Sequence, residues 1–229
     1  MKFLSAVIAI LLAFPSTPTS IDNVEAVRQV SLSTVHPTEQ SLQAAESVVG
    51  IQTQTGLGSA TYIGDGLYVS AHHVAEGAED LPIAVIDFHL QTIHEGNLVA
   101  TNRDYDLIII KVEDIDSIVT PAAPVAWDDA KEGDIVHGVG FGVSYSDEIE
   151  GCERRIWSGT VAGFRKNIGG HQPNCVLSTN PAIPGDSGGA LFNDKGELLG
   201  VIHATDYIHT YSIRNACIHQ LLRRLEHAE

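Results

Sequence analysis

The sequence predicts an all-β protein made of two β units and closed by one C-terminal helix. Three observations carry this reading. Short runs rich in Val, Ile, Leu, Thr and Tyr recur from Ser47 onward, each bounded by Gly, Asp or Asn, the pattern of a barrel or sandwich. The runs fall into two series of similar length separated near Pro121 to Pro124. At the end, Ile218, Leu221, Leu222 and Leu225 fall at i, i+3, i+4 and i+7, one apolar face of a helix.

In chain order, residues 1–20 join Lys2, the apolar run "FLSAVIAILLAF" and the small polar "PSTPTS", the three regions of a secretory signal peptide. The apolar run is short for a membrane span, so the expectation is cleavage and no stable membrane association afterwards. The mature protein is then secreted, or periplasmic in a Gram-negative source. Residues 21–45 are polar, contain one proline and lack a clear period, and read as a leader or linker. The folded domain is expected over 46–229. Its first unit, about 46–121, holds "SVVGIQTQT", "GSATYI", "LYVSA", "IAVIDFHL" and "DLIIIKV". The second, about 122–213, holds "DIVHGVGFG", "RRIWSGTVAGF", "NCVLSTN", "GALFN" and "ELLGVIHA", and the helix follows over about 214–227.

Composition limits the function classes. Of 229 residues, 44% are hydrophobic and 18% charged, as in ordinary globular proteins. Loss of residues 1–20 removes only Lys2, leaving 12 Lys+Arg against 29 Asp+Glu, a balance of −17. That charge repels nucleic acid and anionic membrane surfaces. The three cysteines, Cys152, Cys175 and Cys217, allow at most one internal bridge, so this is no disulfide scaffold. A Cys152–Cys175 bridge is not expected, because the simplest hairpin register sets Cys175 opposite a residue near Gly163. Eleven histidines are present without an H-E-x-x-H pattern, and the adjacent His72 and His73 would chelate poorly; no metal and no cofactor are expected.

One serine sits in a sharp, glycine-rich bend, "PGDSGGALF", Pro184 to Phe192. A serine hydroxyl becomes a nucleophile only when a histidine takes its proton and a third group holds that imidazole. "LYVSAHHVAEGA" offers a histidine pair at a strand end, and "NRDYDLIIIKV" offers Asp106 at the head of another strand. The chain order is His, Asp, Ser.

These residues resemble the chymotrypsin-fold serine peptidases, nearest the protease domain of the HtrA/Deg type. "SAHHV" resembles that family's T-A-A-H and T-N-N-H-V segments, "DYDLIIIKV" its D-L-A-V-L-K-V strand, and "PGDSGGALFNDKGELLGV" its serine loop. The resemblance spans roughly residues 47–226. It implies two six-stranded antiparallel β-barrels with a C-terminal helix, and a triad of His73, Asp106 and Ser187. His72 is then a packing or solvent-facing residue and Asp104 a turn residue. The resemblance also implies an oxyanion hole from the Gly185 and Ser187 amides. In clipped relatives the aspartate corresponding to Asp186 pairs with a new α-amino group, but "VVGI" at Val48 reads as the first strand, so that switch is not expected and the partner of Asp186 stays open.

The expected function is hydrolysis of protein or peptide substrates through an acyl-enzyme. The competing readings are an inactive binding module on the same fold and a serine esterase, since "GDSGG" satisfies G-x-S-x-G; the esterase fold needs a helix after the serine, where a strand is read here. HtrA-type proteins generally carry a PDZ domain after the protease, so no chaperone role is expected from this chain. The resemblance further implies that the floor of the side-chain pocket, six positions before the nucleophile, is Pro181, and that His203, Ala204, Thr205 and His209 lie on its wall strands. Glutamate-specific relatives carry a histidine two positions after the strand glycine, whereas His203 follows Gly200 by three and should turn toward Asp106. An apolar preference follows, without Arg or Lys specificity.

Overall fold

The computed structural model describes residues 36–142 apart from 89, 115, 117 and 119, then 154–166, 174–179 and 181–227. Among them, twelve strands close into two six-stranded antiparallel barrels. The first orders its strands β1 (Val48–Gln52), β2 (Leu57–Gly64), β3 (Leu67–Ala71), β6 (Leu107–Val112), β5 (Thr92–Asn102) and β4 (Ile83–Asp87). The second runs β10 (Ala190–Asn193), β11 (Leu198–Thr205), β12 (Thr210–Arg214), β9 (Asn174–Ser178), β8 (Arg155–Lys166) and β7 (Ile135–Gly140). The predicted signal peptide and most of the predicted leader lie outside the described residues.

The sequence of β6, "LIIIKV", does not alternate because both its faces are covered. Ile108 and Ile110 point into the first barrel with Val49, Ile51, Ala60, Tyr68 and Val85. Leu107 and Ile109 point the other way, into a core shared with Val139, Phe192, Val201 and Ile213 of the second barrel. Alternation along one strand thus fills two cores, and all four residues are fully buried. The interior of the second barrel is lined by Val136, Val161, Val176, Leu191 and Leu199. The C-terminal helix, Asn215–Glu226, inserts Cys217, Ile218 and Leu221 into the shared core, while Leu222 and Leu225 pack on its margin.

Residues 39–45 depart from the leader reading. Glu39–Ala45 form a helix, α1, so the C-terminal one is α2. The Thr38 hydroxyl oxygen accepts from Ser41 N at 3.1 Å as the N-cap, and its hydroxyl donates to the Asp194 carbonyl at 2.6 Å, tying α1 to the β10–β11 turn. Ala45 is fully buried in the shared core. Seven residues give too short a run for a 3.6 period to show in sequence.

Cys175 and Cys217 are free and buried in the shared core. Burial pushes the thiols up to about 12 and about 11 respectively. Cys175 pairs with Arg165, two positions from Gly163, near which it was expected; a bulge in β8 between Val161 and Gly163 shifts the register by one residue. Cys152 lies outside the described residues.

Candidate active site

The first barrel presents His73 and Asp106 from adjacent strand ends. β3 runs into a 3₁₀ turn, His72–Val74, and a second 3₁₀ turn, Arg103–Tyr105, delivers Asp106 to the start of β6. These two strands are paired, Ala71 with Leu107, so the two turns lie side by side. Asp106 adopts left-handed backbone angles, φ 54° and ψ 44°, a conformation costing about 1–2 kcal/mol in residues other than glycine and eased for Asp. In return both carboxylate oxygens face His73. Oδ1 accepts from His73 N at 2.8 Å and Oδ2 lies 2.7 Å from His73 Nδ1.

This arrangement separates the two neighbouring candidates. His72 donates its backbone amide to the Asp106 carbonyl at 3.0 Å, but its side chain is buried, with Nε2 3.4 Å from Glu79 Oε1. Asp104 is exposed on the turn. His73 keeps 41% of its side chain exposed. Burial works against its charged form, but the hydrogen bond and charge of Asp106, with Glu76 adding, hold the imidazole above its usual value.

His203 also reaches Asp106. Its Nδ1 lies 2.5 Å from the same Oδ2. The cause is local: β11 and β12 pair Ile202 with Ser212 and Ala204 with Tyr211, so His203 is the extra residue of a β-bulge and is re-aimed across the barrel boundary. The His203 side chain therefore faces Asp106. Burial opposes ionisation of Asp106, yet the bonds from His203 and His73 hold its carboxyl well below the usual range.

The second barrel presents Ser187 on a turn between Pro184 and Gly188, and the first barrel grips that turn. Ser59 on β2 donates its amide to the Ser187 carbonyl at 2.8 Å and its hydroxyl to the Gly185 carbonyl at 2.8 Å, and its Oγ accepts from Phe141 N at 2.9 Å. Ser70 Oγ donates to the Ser59 carbonyl at 2.7 Å. A side chain at Gly188, φ +87°, would meet Ser59 O at 2.0 Å and Ser70 Oγ at 2.2 Å, so only glycine fits there. One residue before Ser59, a Cβ on Gly58 would lie 2.7 Å from Val74 Cγ1 and 3.0 Å from Ser187 O. The His73 turn and the Ser187 turn therefore converge over a glycine of β2.

Asp186 is fully buried, and its partner is Arg155 on β8, Nη1 to Oδ2 2.7 Å, with Ile183 N donating to the same oxygen at 2.8 Å. Arg155 lies over the Trp157 ring, 4.8 Å from its centroid. Burial pushes the Asp186 carboxyl up to about 6, against the pull of the Ile183 amide and Arg155.

Of the expected pocket residues, Pro181 is exposed beside buried Ala182, whose amide donates to Thr210 Oγ1 at 3.0 Å. Ala204 and Thr205 are half-buried at the end of β11, and Thr205 Oγ1 donates to the His209 carbonyl at 3.0 Å. His209 lies at the β11–β12 turn, Nδ1 3.3 Å from Asp206 Oδ2. Ser59, Ser70, Arg155 and Thr210 were not singled out from sequence. Each acts across a barrel or strand boundary; Ser70 lies within the "SAHHV" segment, and no local motif marks the other three.

Two closed six-stranded barrels with this loop arrangement define the chymotrypsin-like fold. Residues 58–201 match the model of the Trypsin-like peptidase domain, and the chain belongs to that family. Protease Do-like 1, chloroplastic, of Arabidopsis thaliana is 27% identical over 143 residues, 59% of this chain and 30% of that protein. Serine protease Do-like HtrA of Bacillus subtilis is 26% identical over 159 residues, 65% of this chain and 33% of that protein. The chain thus spans about a third of the length of these relatives. An inactive-form structure of Rv3671c from M. tuberculosis superposes with a TM-score of 0.69 over 86% of this chain and 97% of that one, at 17% identity.

Proposed function

We propose that this chain is a secreted or periplasmic serine endopeptidase working through an acyl-enzyme. The observation that carries the proposal is the double grip of Asp106 on His73, Oδ1 on the backbone amide and Oδ2 on Nδ1. With Nδ1–H committed to the carboxylate, the Nε2 lone pair is the free base of that ring. Ser187 attacks the scissile carbonyl while His73 Nε2 takes its proton. The imidazolium so formed is stabilised by Asp106 and returns the proton to the leaving amine, and a water repeats the cycle on the acyl-enzyme. The Gly185 and Ser187 amides supply the oxyanion hole, on a turn that Ser59 ties to the first barrel. No cofactor enters these steps.

The reading of location rests on the apolar leader at 1–20; among the described residues, no helix is long and apolar enough to cross a membrane. For the residue before the scissile bond, the proposal is a small or medium apolar side chain. Pro181 brings no charge to the floor position, Thr210 fills space beside Ala182, and His203 faces Asp106 instead. A fluorophosphonate probe tests the chemistry: the wild type should label and Ser187→Ala should not. A peptide-library profile at pH 7.5 should then show cleavage after Ala, Val or Leu. Absent labelling of folded wild type refutes the acyl-enzyme reading, and dominant cleavage after Glu or Arg refutes the apolar pocket.

A further inference from the structure

We propose that His73, Asp106 and His203, whose Nδ1, Oδ2 and Nδ1 atoms converge across the barrel boundary, bind a first-row divalent transition-metal ion, Zn²⁺ foremost, and that its binding switches the peptidase off. The inference rests on the serine-peptidase reading for its consequence, though not for the binding itself.

The three ligand atoms lie within 4.8 Å of one another. Two imidazole nitrogens and one carboxylate oxygen form a set suited to Zn²⁺, Cu²⁺ or Ni²⁺ and poorly suited to Mg²⁺ or Ca²⁺. With metal–ligand bonds of about 2.0–2.1 Å, tetrahedral ligands stand about 3.3 Å apart. Here the nitrogens sit 2.7 and 2.5 Å from the shared oxygen and within 4.8 Å of each other, so each N–O separation must open by less than about 1 Å and the two nitrogens must close on each other by up to about 1.5 Å. Asp106 stays anchored meanwhile, because Oδ1 holds the His73 amide. The buried side is closed, with 11% of the Asp106 side chain and 15% of that of His203 exposed, whereas His73 is 41% exposed and opens a path for the ion and a position for water. The acidic balance of the chain raises the local concentration of cations. The sequence could not reveal this set: His73 and His203 are 33 and 97 positions from Asp106 and 130 from each other, far beyond any ligand-spacing motif.

The consequence follows from the tautomer. In the metal-free site the Nδ1 of His73 carries a proton toward the Asp106 carboxylate. Coordination takes the Nδ1 lone pair, so the one proton of His73 moves to Nε2 through solvent. No proton is lost, but Nε2 no longer has a lone pair to accept the Ser187 proton, and the nucleophile is not activated.

The test uses the full chain. In Ser187→Ala, which keeps all three ligands, Co²⁺ should bind once per chain with the intense visible bands of a tetrahedral site, and Zn²⁺ should displace it. The double variant Ser187→Ala/His203→Gln should lose those bands. In the wild type, Zn²⁺ should abolish peptide cleavage reversibly on chelation while Mg²⁺ and Ca²⁺ do not, and His203→Gln should raise the Zn²⁺ concentration for half inhibition by more than about 10-fold, since even outer-shell changes cost that much. If His203→Gln fails to fold, ¹⁵N histidine spectra of Ser187→Ala serve instead: two rings should change to Nδ1-bound signals with Zn²⁺. No tetrahedral Co²⁺ signal, unchanged Zn²⁺ sensitivity in His203→Gln, or two rings other than His73 and His203 responding would overturn the proposal. A cobalt site in a chain that never cleaves peptide would leave the site standing and remove the peptidase reading; an active enzyme with no cobalt site would do the reverse.

Discussion

Arg155 on β8 holds Asp186 on the turn before β10, Nη1 to Oδ2 2.7 Å, with the aspartate fully buried and next to Ser187. The fit is close on every side: a Cβ on Gly140 would lie 2.6 Å from Asp186 Oδ1. The aspartate beside Ser187 thus has a cation supplied from within the chain. Burial alone would favour the neutral acid, and the guanidinium and the Ile183 amide offset part of that cost.

Removing Arg155 should therefore destabilise the fold in a pH-dependent way. With a folded value of about 6 against an ordinary 3.8, folded Asp186 holds a proton that the unfolded chain has lost between about pH 4 and 6. Its contribution to stability is full below that window and is lost as pH rises through it. Arg155→Met leaves an unpaired buried carboxylate, which raises the folded value further and widens the loss. Urea unfolding should show a deficit of about 3 kcal/mol at pH 7.5, shrinking to below about 1 kcal/mol at pH 5, where Asp186 is already neutral. Equal deficits at both pH values would remove the ion pair as the cause.

Activity should not await a new N-terminus. Val48 is a paired strand residue of β1, opposite Thr61 of β2, and Asp186 already has its cation. Protein carrying residues 21–47 intact should react with a serine-directed probe at the same rate as protein cleaved near Val48. Labelling that appears only after cleavage contradicts this.

The two strand-end pairs of candidates give a sharp contrast. Asp106→Asn should lower kcat by roughly 10⁴ at neutral pH with the fold intact, because an amide at Oδ2 no longer fixes the His73 tautomer. Asp104→Asn, on an exposed turn, should change kcat less than about 3-fold, since surface substitutions perturb by roughly half a kcal/mol. His73→Ala should be as damaging as Ser187→Ala, a fall on the order of 10⁶ in kcat. His72→Ala should mainly lower the thermal midpoint, through lost packing. Steady-state kinetics beside thermal melts decide it, and the reverse ranking would relocate the base to His72.

How much of this was legible in the sequence depends on how local each signal is. Ten of the twelve strands and α2 announce themselves, because a β-type run such as "LYVSA" and the i, i+3, i+4 spacing of Ile218, Leu221 and Leu222 each lie within one element. β5 and β12 are not among the runs read from the residues, and six strands per barrel come from the family resemblance. The nearness of His73 and Asp106 follows from strand-end placement plus a family pattern. The turn of His203 toward Asp106 was read from strand alternation, but the structure reaches it through a bulge, which alternation does not contain. Arg155 and Ser59 could not be read at all: one lies 31 positions from Asp186 and the other 126 from Gly185, and both sit in strands with no unusual composition. α1 was hidden for a related reason, since its buried Ala45 packs on residues far along the chain.

Ser59 carries the last prediction. It reaches from the first barrel to the Gly185 and Ser187 carbonyls of the second, and its Oγ also accepts from Phe141 N. Ser59→Ala keeps the amide bond to Ser187 and deletes the two hydroxyl bonds, leaving the buried Phe141 amide unpaired; the stability cost should be about 1–3 kcal/mol. The peptide plane after Gly185 is fixed in part by that hydroxyl, and it bears on the oxyanion hole proposed at the Gly185 amide. Loosening it should act on the transition state more than on substrate binding, lowering kcat by about 10²-fold with KM within about 3-fold. Probe labelling should slow in parallel, because a fluorophosphonate uses the same hole. Measured kcat and KM on one peptide substrate, with melts to confirm folding at the assay temperature, provide the check. A rise in KM at constant kcat would place Ser59 in substrate binding instead, and no kinetic change in a folded variant would show that the Gly185 turn holds its geometry without the first barrel.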